Sequence, residues 1–377
     1  MKLFFVAGEP SGDAHAADVI GEILKIRPDA EIHAYGGERM KAAGAKIHFD
    51  LTSLSSIGLD WVRNIRTYSR LIRQAPLLCR ELGIRDAVLV DYPGFNLRVA
   101  TRAHQSGLAV RYYISPQVWA WRTGRVKRMK RDLKKVFVIL PFEEEFLQQR
   151  GVPARFVGHP LVDRLKERRS PGEIRASAGL PLSEEIPLAG LLPGSRPREV
   201  QRLGPVLYES ARLLLQRFPN LHFVVPRSDS ITAEEIRQVF RQDIPWTLVE
   251  NPSPDLRSAF RVSLTKSGTS TLENALLGIP QVVLYKVKPL DAWIARRVIR
   301  IPWIGLVNIL AGREICPECL QENCTPENIA KKAIPLIEDT PQRTQMLEDL
   351  RRVAASLGEG QAARRTAEAL IEDIEGV

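Results

Sequence analysis

Short apolar runs alternate along the chain with longer stretches in which apolar positions recur at the spacing of a helix. A run such as 87–90 is apolar at every position, which is typical of a strand buried on both faces of a parallel sheet. Helices between such strands supply the crossovers that parallel pairing requires. The pattern predicts an α/β protein with strands near 3–7, 31–35, 87–90, 110–114, 135–140, 188–192, 222–225, 262–265 and 281–285.

The alternation is interrupted by a polar stretch at 165–186 and then resumes. A chain of 377 residues holds two or three domains at about 150 residues each. We therefore expect two Rossmann-like domains, 1–164 and 165–345, whose parallel sheets face a central cleft. Residues 346–377 predict a helical tail, and whether it returns to the first domain stays open.

A loop of the second domain has the composition of a phosphate-binding turn. Ser267, Gly268 and Thr269 follow a predicted strand and precede a helix in which Glu273 lies about one turn in. Small residues let the backbone approach an anion, and N–H groups at a helix start hold phosphate without a metal. The alternative is an ordinary helix cap with an acid in the first turn.

A second loop of this kind, 191–196, ends in Ser195 and Arg196. An arginine at this position is a cation suited to neutralising a diphosphate, although a solvated arginine in a turn is the plainer interpretation. Two such loops in one α/β domain are better explained by a nucleoside diphosphate ligand than by chance.

Asp91 ends an apolar strand of the first domain, and the Tyr92-Pro93-Gly94 sequence that follows predicts a turn. The carboxyl ends of parallel strands are where such sheets bind ligands, and burial would raise the pKa of this carboxylate towards that of a general base. An aspartate that only caps the turn is the alternative, because aspartate is common there.

Distinctive motifs occur in order along nearly the whole chain: 8–13, 91–96, 113–122, 140–143, 156–161, 192–196, 267–273 and 308–314. The segment 113–122 is the most specific of them, since it contains Trp119 and Trp121 and tryptophan is rare. The order of these motifs resembles that of the lipid-A-disaccharide synthases, a family of two-domain inverting glycosyltransferases of the GT-B type.

The resemblance implies a reaction between two glycolipids. The donor would be UDP-2,3-diacylglucosamine and the acceptor 2,3-diacylglucosamine 1-phosphate, joined by one inverting displacement into a β(1→6)-linked disaccharide 1-phosphate with release of UDP. Another GT-B enzyme, such as a UDP-N-acetylglucosamine transferase or 2-epimerase, is one alternative. A nucleic-acid-binding protein and a catalytically silent UDP-sugar-binding protein are two others, although no nucleic-acid-recognition signature occurs.

The resemblance also implies the residues of the site. Catalysis would rest on Asp91, Glu9 and Asn308, with Asp91 as the base that takes the proton of the acceptor hydroxyl. Asn308 is about as well explained as a helix cap. Some members of the family carry a second acid where this chain has Gly94, so a role given to that acid does not apply here. The expected substrate-binding residues are Ser11, Asp13, Arg122, Ser195, Arg196, Ser267, Gly268, Thr269, Glu273 and Arg313. Asp13 is better explained as a cap of the following helix or as a residue that holds the loop.

No metal or other cofactor is expected. The chain has no Asp-x-Asp metal signature, and helix dipoles together with Arg196 would take the part of a cation. Cys316 and Cys319 have the spacing of a zinc knuckle and Cys324 lies nearby, but that stretch contains no histidine. We therefore expect free, structural thiols.

Lysine and arginine outnumber aspartate and glutamate by 54 to 44, which gives a net charge of +10. Basic residues are dense in the segment 122–135, where Asp132 is the one acid. A helix predicted over 60–73 carries arginines on one face and apolar residues, among them Trp61, on the other. Such helices bind anionic leaflets, although a surface helix packed on the core has the same pattern.

No apolar run approaches the ~18 residues that span a bilayer, and the first residues predict a buried strand rather than a signal peptide. We therefore expect a cytoplasmic enzyme that associates peripherally with the cytoplasmic face of the inner membrane. The expected partners are the UDP-diacylglucosamine donor, the diacylglucosamine 1-phosphate acceptor and the anionic membrane surface, with no nucleic acid. Whether the protein forms oligomers stays open.

Overall fold

The structure is a computed structural model that describes residues 1–54, 64–121, 123–288 and 301–376. The chain forms two compact units: unit 1 consists of Met1–Asp163 with Leu357–Val377, and unit 2 consists of Arg164–Ser356. Each unit contains a parallel sheet with helices between its strands. The predicted α/β class with two parallel sheets is confirmed.

Unit 1 has a seven-stranded sheet in the order β3-β2-β1-β4-β5-β6-β7, and its neighbouring strands pair in parallel. The strands are β1 (Lys2–Ala7), β2 (Glu31–Gly36), β3 (Lys46–Asp50), β4 (Asp86–Val90), β5 (Ala109–Tyr113), β6 (Lys135–Val138) and β7 (Ala154–Phe156). The helices that accompany them are α1 (Pro10–Ile26), α2 (Glu38–Ala42), α3 (Ile65–Glu81), α4 (Pro93–Gln105), α5 (Arg125–Asp132), α6 (Pro141–Gln148) and α7 (Pro160–Arg164).

Unit 2 has a six-stranded parallel sheet in the order β10-β9-β8-β11-β12-β13. Its strands are β8 (Leu188–Leu192), β9 (His222–Pro226), β10 (Trp246–Val249), β11 (Val262–Lys266), β12 (Gln281–Tyr285) and β13 (Glu318–Leu320). Its helices are α8 (Pro171–Ser177), α9 (Pro197–Arg217), α10 (Ala233–Arg237), α11 (Ser270–Leu277), α12 (Leu306–Ala311), α13 (Pro326–Ile337) and α14 (Pro341–Ser356).

In both sheets, the order in which strands are added reverses at the first strand. β1 lies between β2 and β4, and β8 lies between β9 and β11, so successive crossovers leave these strands on opposite sides. In open parallel sheets, ligands bind beyond the carboxyl ends of the strands at such a switch point. The loops that follow β1 and β4 in unit 1, and those that follow β8 and β11 in unit 2, therefore lie at the edge where ligands are expected.

The strands of unit 1 are apolar on both faces because helices cover both sides of the sheet. Phe4 and Val6 of β1 belong to one apolar cluster, and Leu3, Phe5 and Ala7 belong to another. All five side chains are at most 1% exposed. Burying a leucine or phenylalanine stabilises a fold by about 1.5–3 kcal/mol, so this alternation fixes the register of the strand.

The last helix, α15 (Ala362–Glu375), belongs to unit 1, whereas α14 belongs to unit 2. α15 packs on α1, and a buried arginine ties it to the sheet. The Arg111 guanidinium is 0% exposed and donates to Asp373 of α15 and to Asp86 of β4, each at 2.6 Å. Among the helices of the described residues, none has both the length and the apolar content needed to cross a membrane.

Candidate active site

The turn after β4 holds Asp91 in an unusual backbone conformation. Asp91 and Tyr92 both have φ of +48°, in the left-handed region that non-glycine residues rarely adopt. The Asp91 N–H donates to the Tyr113 carbonyl at 3.0 Å, and the Asp91 carbonyl accepts from Asn96 Nδ2 at 2.8 Å and from the Tyr112 hydroxyl at 2.5 Å. Such residues cost of order 1–3 kcal/mol each, and they persist when surrounding contacts over-determine them.

The Asp91 carboxylate is half-buried at this edge of the sheet. Burial raises its pKa, and a hydrogen bond from the backbone of Tyr92 opposes that rise. An acid whose pKa is raised towards neutrality holds a proton more readily than a solvated aspartate does, which suits a general base. The geometry is therefore compatible with the predicted catalytic role.

The loop after β1 lies against the same turn. A Cβ added to Gly8 would collide with the Tyr92 ring, so glycine is required where the two loops touch. Glu9 and Ser11 are exposed at the start of α1. The structure thus brings Glu9 and Ser11 to the edge that carries Asp91, while their contacts with a substrate stay predictions.

Asp13 is directed into the fold instead of towards that edge. Its side chain is 4% exposed, and its two oxygens accept the N–H groups of Gly37 at 2.6 Å and Arg39 at 3.1 Å. The Asp13 carboxylate, which belongs to α1, therefore caps the start of α2. The structure gives Asp13 this capping role, and a contact between Asp13 and substrate stays a prediction.

A buried glutamate, Glu143, lies in the helix that follows β6. Glu143 of α6 is 2% exposed, and it accepts the Trp119 indole N–H at 2.9 Å and the Leu140 N–H at 3.3 Å. Burial raises the pKa of Glu143 to about 7. These contacts fix Trp119 within the loop after β5, and sequence reasoning assigned no role to Glu143. Trp121 is 40% exposed in the same loop, and Arg122 lies outside the described residues.

The loop after β8 presents two of the predicted residues to solvent. Ser195 and Arg196 are exposed, and Gly194 has φ of +122°. Glu199 of α9 holds the loop, because its Oε2 accepts the N–H of Ser195 at 2.9 Å and that of Arg196 at 3.3 Å. The Arg196 side chain is 79% exposed and reaches Glu199 at 3.9 Å.

Contacts of Ser267 and Glu273 fix the loop after β11 and the helix that follows it. The Ser267 hydroxyl donates to the Ile304 carbonyl at 2.9 Å, Gly268 has φ of +155°, and Thr269 is exposed before α11. Glu273 of α11 lies 2.6 Å from Nη1 of Arg257, a residue that sequence reasoning missed. Burial lowers the pKa of the Arg257 guanidinium, and the Glu273 carboxylate opposes that effect.

A lysine joins these two loops. Lys266, the last residue of β11, lies with its Nζ 3.0 Å from Oε1 of Glu199. The position that a Cβ would take at Gly268 is 3.8 Å from the same ammonium. The structure thereby brings together the predicted residues of both loops around a cation and an acid that the sequence analysis did not select.

Asn308 is fully buried and saturated with hydrogen bonds. Its Nδ2 donates to the Cys316 carbonyl at 2.8 Å and to Glu318 at 2.9 Å, and its Oδ1 accepts the N–H groups of Ile315 and Cys316, both at 2.9 Å. An amide has two donors and two acceptor sites, and all four are used. The structure gives Asn308 a positioning role, and its predicted part in catalysis stays a prediction.

Arg313 follows α12 and is tied to α14. Its Nη2 lies 2.5 Å from Oδ1 of Asp349, which is 4% exposed and also accepts from Arg352 at 3.1 Å. The Arg313 side chain is about half exposed. A contact between Arg313 and substrate stays a prediction.

The four cysteines are free and buried. Within the described ranges, no group of three or more histidine, cysteine, aspartate or glutamate side chains could hold a metal ion. Burial raises the pKa of Cys324 to about 11, so this thiol stays protonated near neutral pH.

The chain resembles known proteins along nearly its whole length. Residues 3–372 match a family model described as lipid-A-disaccharide synthetase. The chain is 38% identical to the lipid-A-disaccharide synthase of Geobacter metallireducens, over 98% of this chain and 97% of that protein. The identity to the lipid-A-disaccharide synthase of Trichlorobacter lovleyi is also 38%, over 99% and 98% of the two chains.

A solved structure shares the fold at much lower identity. The UDP-GlcNAc 2-epimerase of Neisseria meningitidis, bound to UDP-GlcNAc, matches with a TM-score of 0.68 and 16% identity, covering 99% of this chain and 100% of that chain. That likeness shows the GT-B fold alone, whereas the family model and the close relatives agree on one activity. The chain belongs to the lipid-A-disaccharide synthase family and is a glycosyltransferase enzyme.

Proposed function

We propose that this enzyme transfers the sugar of UDP-2,3-diacylglucosamine to the 6-hydroxyl of 2,3-diacylglucosamine 1-phosphate. The products are the β(1→6)-linked disaccharide 1-phosphate and UDP. The observation that carries this proposal is the family match over residues 3–372, which includes the loops of both sheets. The UDP-GlcNAc 2-epimerases have a similar fold, but the curated relatives at 38% identity favour transfer over epimerisation.

Asp91 is the proposed base of a single inverting displacement. Its carboxylate takes the proton of the acceptor hydroxyl as that oxygen attacks the anomeric carbon of the donor, and the bond from that carbon to UDP breaks. The main-chain contacts of Asp91 support this role, because they hold the carboxylate at the switch point of the sheet. The exposed side chain of Glu9 is proposed to act beside it on the acceptor.

The donor diphosphate is proposed to bind the loops at 193–196 and 267–269 of unit 2. Backbone N–H groups and the helix dipoles of α9 and α11 would stabilise the charge that UDP gains as it leaves. The exposed Arg196 and Thr269 support this assignment, and Glu273, which is 21% exposed, is proposed to accept hydrogen bonds from ribose hydroxyls. The chemistry is proposed to need no metal ion.

The acceptor is proposed to be drawn from the cytoplasmic face of an anionic membrane. α5 supports this, because Val126 and Met129 face the core while Lys127, Arg128 and the other basic residues of its outer face are exposed. Arg125 lies 5.4 Å from the centre of the exposed Trp121 ring. A basic face beside an exposed tryptophan fits anionic headgroups. The helix predicted over 60–73 lies partly outside the described residues, and α3 begins at Ile65.

The direct test is incubation with both diacylated substrates, followed by mass spectrometry of the lipid product. We expect a tetraacylated disaccharide 1-phosphate and stoichiometric UDP, with the same rate in excess chelator. UDP-N-acetylglucosamine without acyl chains serves as the control donor. Equal use or 2-epimerisation of that control would favour the alternative GT-B activity, and loss of turnover in chelator that magnesium restores would contradict the metal-free mechanism.

A separate assay presents the acceptor in anionic and in neutral vesicles. If the enzyme draws its acceptor from an anionic membrane, turnover should be faster on the anionic vesicles.

A further inference from the structure

The loops at 193–196 and 267–269 of unit 2 are connected by an ion pair between Lys266 and Glu199. Lys266 ends β11 and Glu199 lies in the first turn of α9, and their side chains are 25% and 19% exposed. Oε1 of Glu199 contacts the ammonium at 3.0 Å, while its Oε2 accepts N–H groups of the loop after β8 at 2.9 and 3.3 Å. The pair therefore connects the strand end of one loop to the backbone of the other.

Glycines lie close to this pair on both sides. A Cβ on Gly194 would collide with the Glu199 carboxylate, and a Cβ on Gly268 would lie 3.8 Å from the Lys266 ammonium. Gly268 also has φ of +155°, which disfavours any other residue. The ammonium is thus held on one side by Glu199 and faces a loop without a side chain on another.

A lysine ammonium has three N–H donors, and Glu199 accounts for one of them. Donors that are already oriented stabilise developing charge better than donors that must be ordered first. Arg196, the cation expected from the sequence, is 79% exposed and contacts Glu199 only at 3.9 Å. Lys266 is the more deeply buried and more closely held of the two cations.

We propose that Lys266 binds the diphosphate of the nucleotide-sugar donor, with Glu199 as the positioning residue that orients its ammonium between the two loops. This inference rests on the proposed function, because it assumes a UDP-sugar donor. It adds to that function the cation that faces the leaving group and gives Arg196 a secondary part.

The test measures the affinity of UDP and of uridine for the full chain by calorimetry. Lys266→Met should raise the Kd of UDP about 10- to 100-fold, as expected for a lost hydrogen bond to a charged group, and leave the Kd of uridine within about twofold. Lys266→Arg should restore part of the loss. Retained uridine binding shows that each variant is folded. Lys331→Met, at an exposed lysine of α13, is the matched control and should match the wild type.

Glu199→Gln tests whether Lys266 itself binds the diphosphate or only forms a structural ion pair with Glu199. The amide oxygen can still accept a loop N–H, so the proposal predicts a loss of UDP affinity much smaller than that of Lys266→Met. Equal losses in the two variants, with no further loss in the double variant, would overturn the proposal, as would unchanged UDP binding in Lys266→Met. A wild-type enzyme that binds no UDP would instead refute the proposed donor, and the inference would fall with it. A loss in Arg196→Met without one in Lys266→Met would return the role to Arg196.

Discussion

The carboxyl-end edges of the two sheets both hold buried or half-buried acids, but the two units surround those acids differently. In unit 1, Asp91 and Glu143 have pKa values raised by burial. Within the described part of the chain, neither forms an ion pair with a lysine or arginine; Glu143 accepts only neutral N–H groups, including that of Trp119.

In unit 2, the acids at the equivalent edge are each paired with a cation. Glu199 contacts Lys266 at 3.0 Å, and Glu273 contacts Arg257 at 2.6 Å. A buried acid without a cation tends to hold a proton, whereas an acid beside a cation stays charged and orients its partner. The difference fits the proposed roles of unit 1 in proton transfer and of unit 2 in binding an anion.

The largest effect should come from removing the carboxylate of Asp91 at the switch point of unit 1. Asp91→Asn keeps the size of the side chain but cannot accept the proton, so kcat should fall about 10²- to 10⁴-fold while the KM of the donor changes little. The pH dependence of kcat/KM in the wild type should show an acid limb with its midpoint above the ordinary aspartate pKa of 3.8, because only the deprotonated base is active.

Asp29→Asn is the matched control, because Asp29 is 73% exposed and precedes β2 at the amino end of the sheet. It should leave both kcat and the pH profile unchanged. If Asp91→Asn, folded as judged by circular dichroism, turned over at a rate near that of the wild type, the base would have to be sought elsewhere on the edge, with Glu9 first.

A second prediction concerns Glu143 and the stability of unit 1. The folded protein holds the Glu143 proton up to a pKa of about 7, while the unfolded chain releases it at about 4.5. The stability that this group contributes is therefore fully present below pH 4.5 and is lost as pH rises through 7. At about 1.4 kcal/mol per pKa unit, the full loss is about 3–4 kcal/mol, most of it between pH 5 and pH 8.

Glu143→Gln has no proton to lose and should lack this part of the pH dependence. Urea unfolding at pH 5 and pH 8 measures it, since the free energy of unfolding of the wild type should fall relative to that of the variant by about 2–3 kcal/mol between the two. Parallel values for the two proteins would mean that Glu143 is charged in the folded state, and the contrast between the units would then rest on Asp91 alone.

The apolar pattern of the sequence predicted every interior strand and missed the four strands at the sheet edges. β3, β7, β10 and β13 pair on one side only; β7 and β13 have three residues, and β3 alternates between exposed and half-buried positions. Such strands lack the continuous apolar run that full burial imposes. Edge strands are stabilised by pairing with a distant neighbour, and a local pattern does not record that pairing.

The candidate site was predictable to a similar extent. The strand-end loops follow from glycine and small residues at fixed positions, and both loops are where the sequence indicated. Their partners are not local: Lys266 and Glu199 are brought together by the pairing of β8 with β11, and Arg257 reaches Glu273 from a separate turn. The sequence likewise does not reveal the four hydrogen bonds that hold the Asn308 side chain within the fold.

The smallest effect should come from a substitution of Glu273, the acid of unit 2 that is paired with Arg257. Glu273 and Arg257 are 21% and 17% exposed, so solvent screens part of their attraction, and Arg257 keeps its bond to the Ser270 carbonyl at 3.2 Å without the acid. Glu273→Gln should therefore raise the KM of the donor about threefold with kcat nearly unchanged, as expected when one hydrogen bond from a ribose hydroxyl is weakened. Comparing UDP with 2′,3′-dideoxy-UDP locates the effect, because the variant and the wild type should bind the dideoxy nucleotide equally. A variant that lowers thermal stability but leaves both nucleotide affinities unchanged would show that Glu273 serves Arg257 alone, and anion binding in unit 2 would then depend on its cations and backbone.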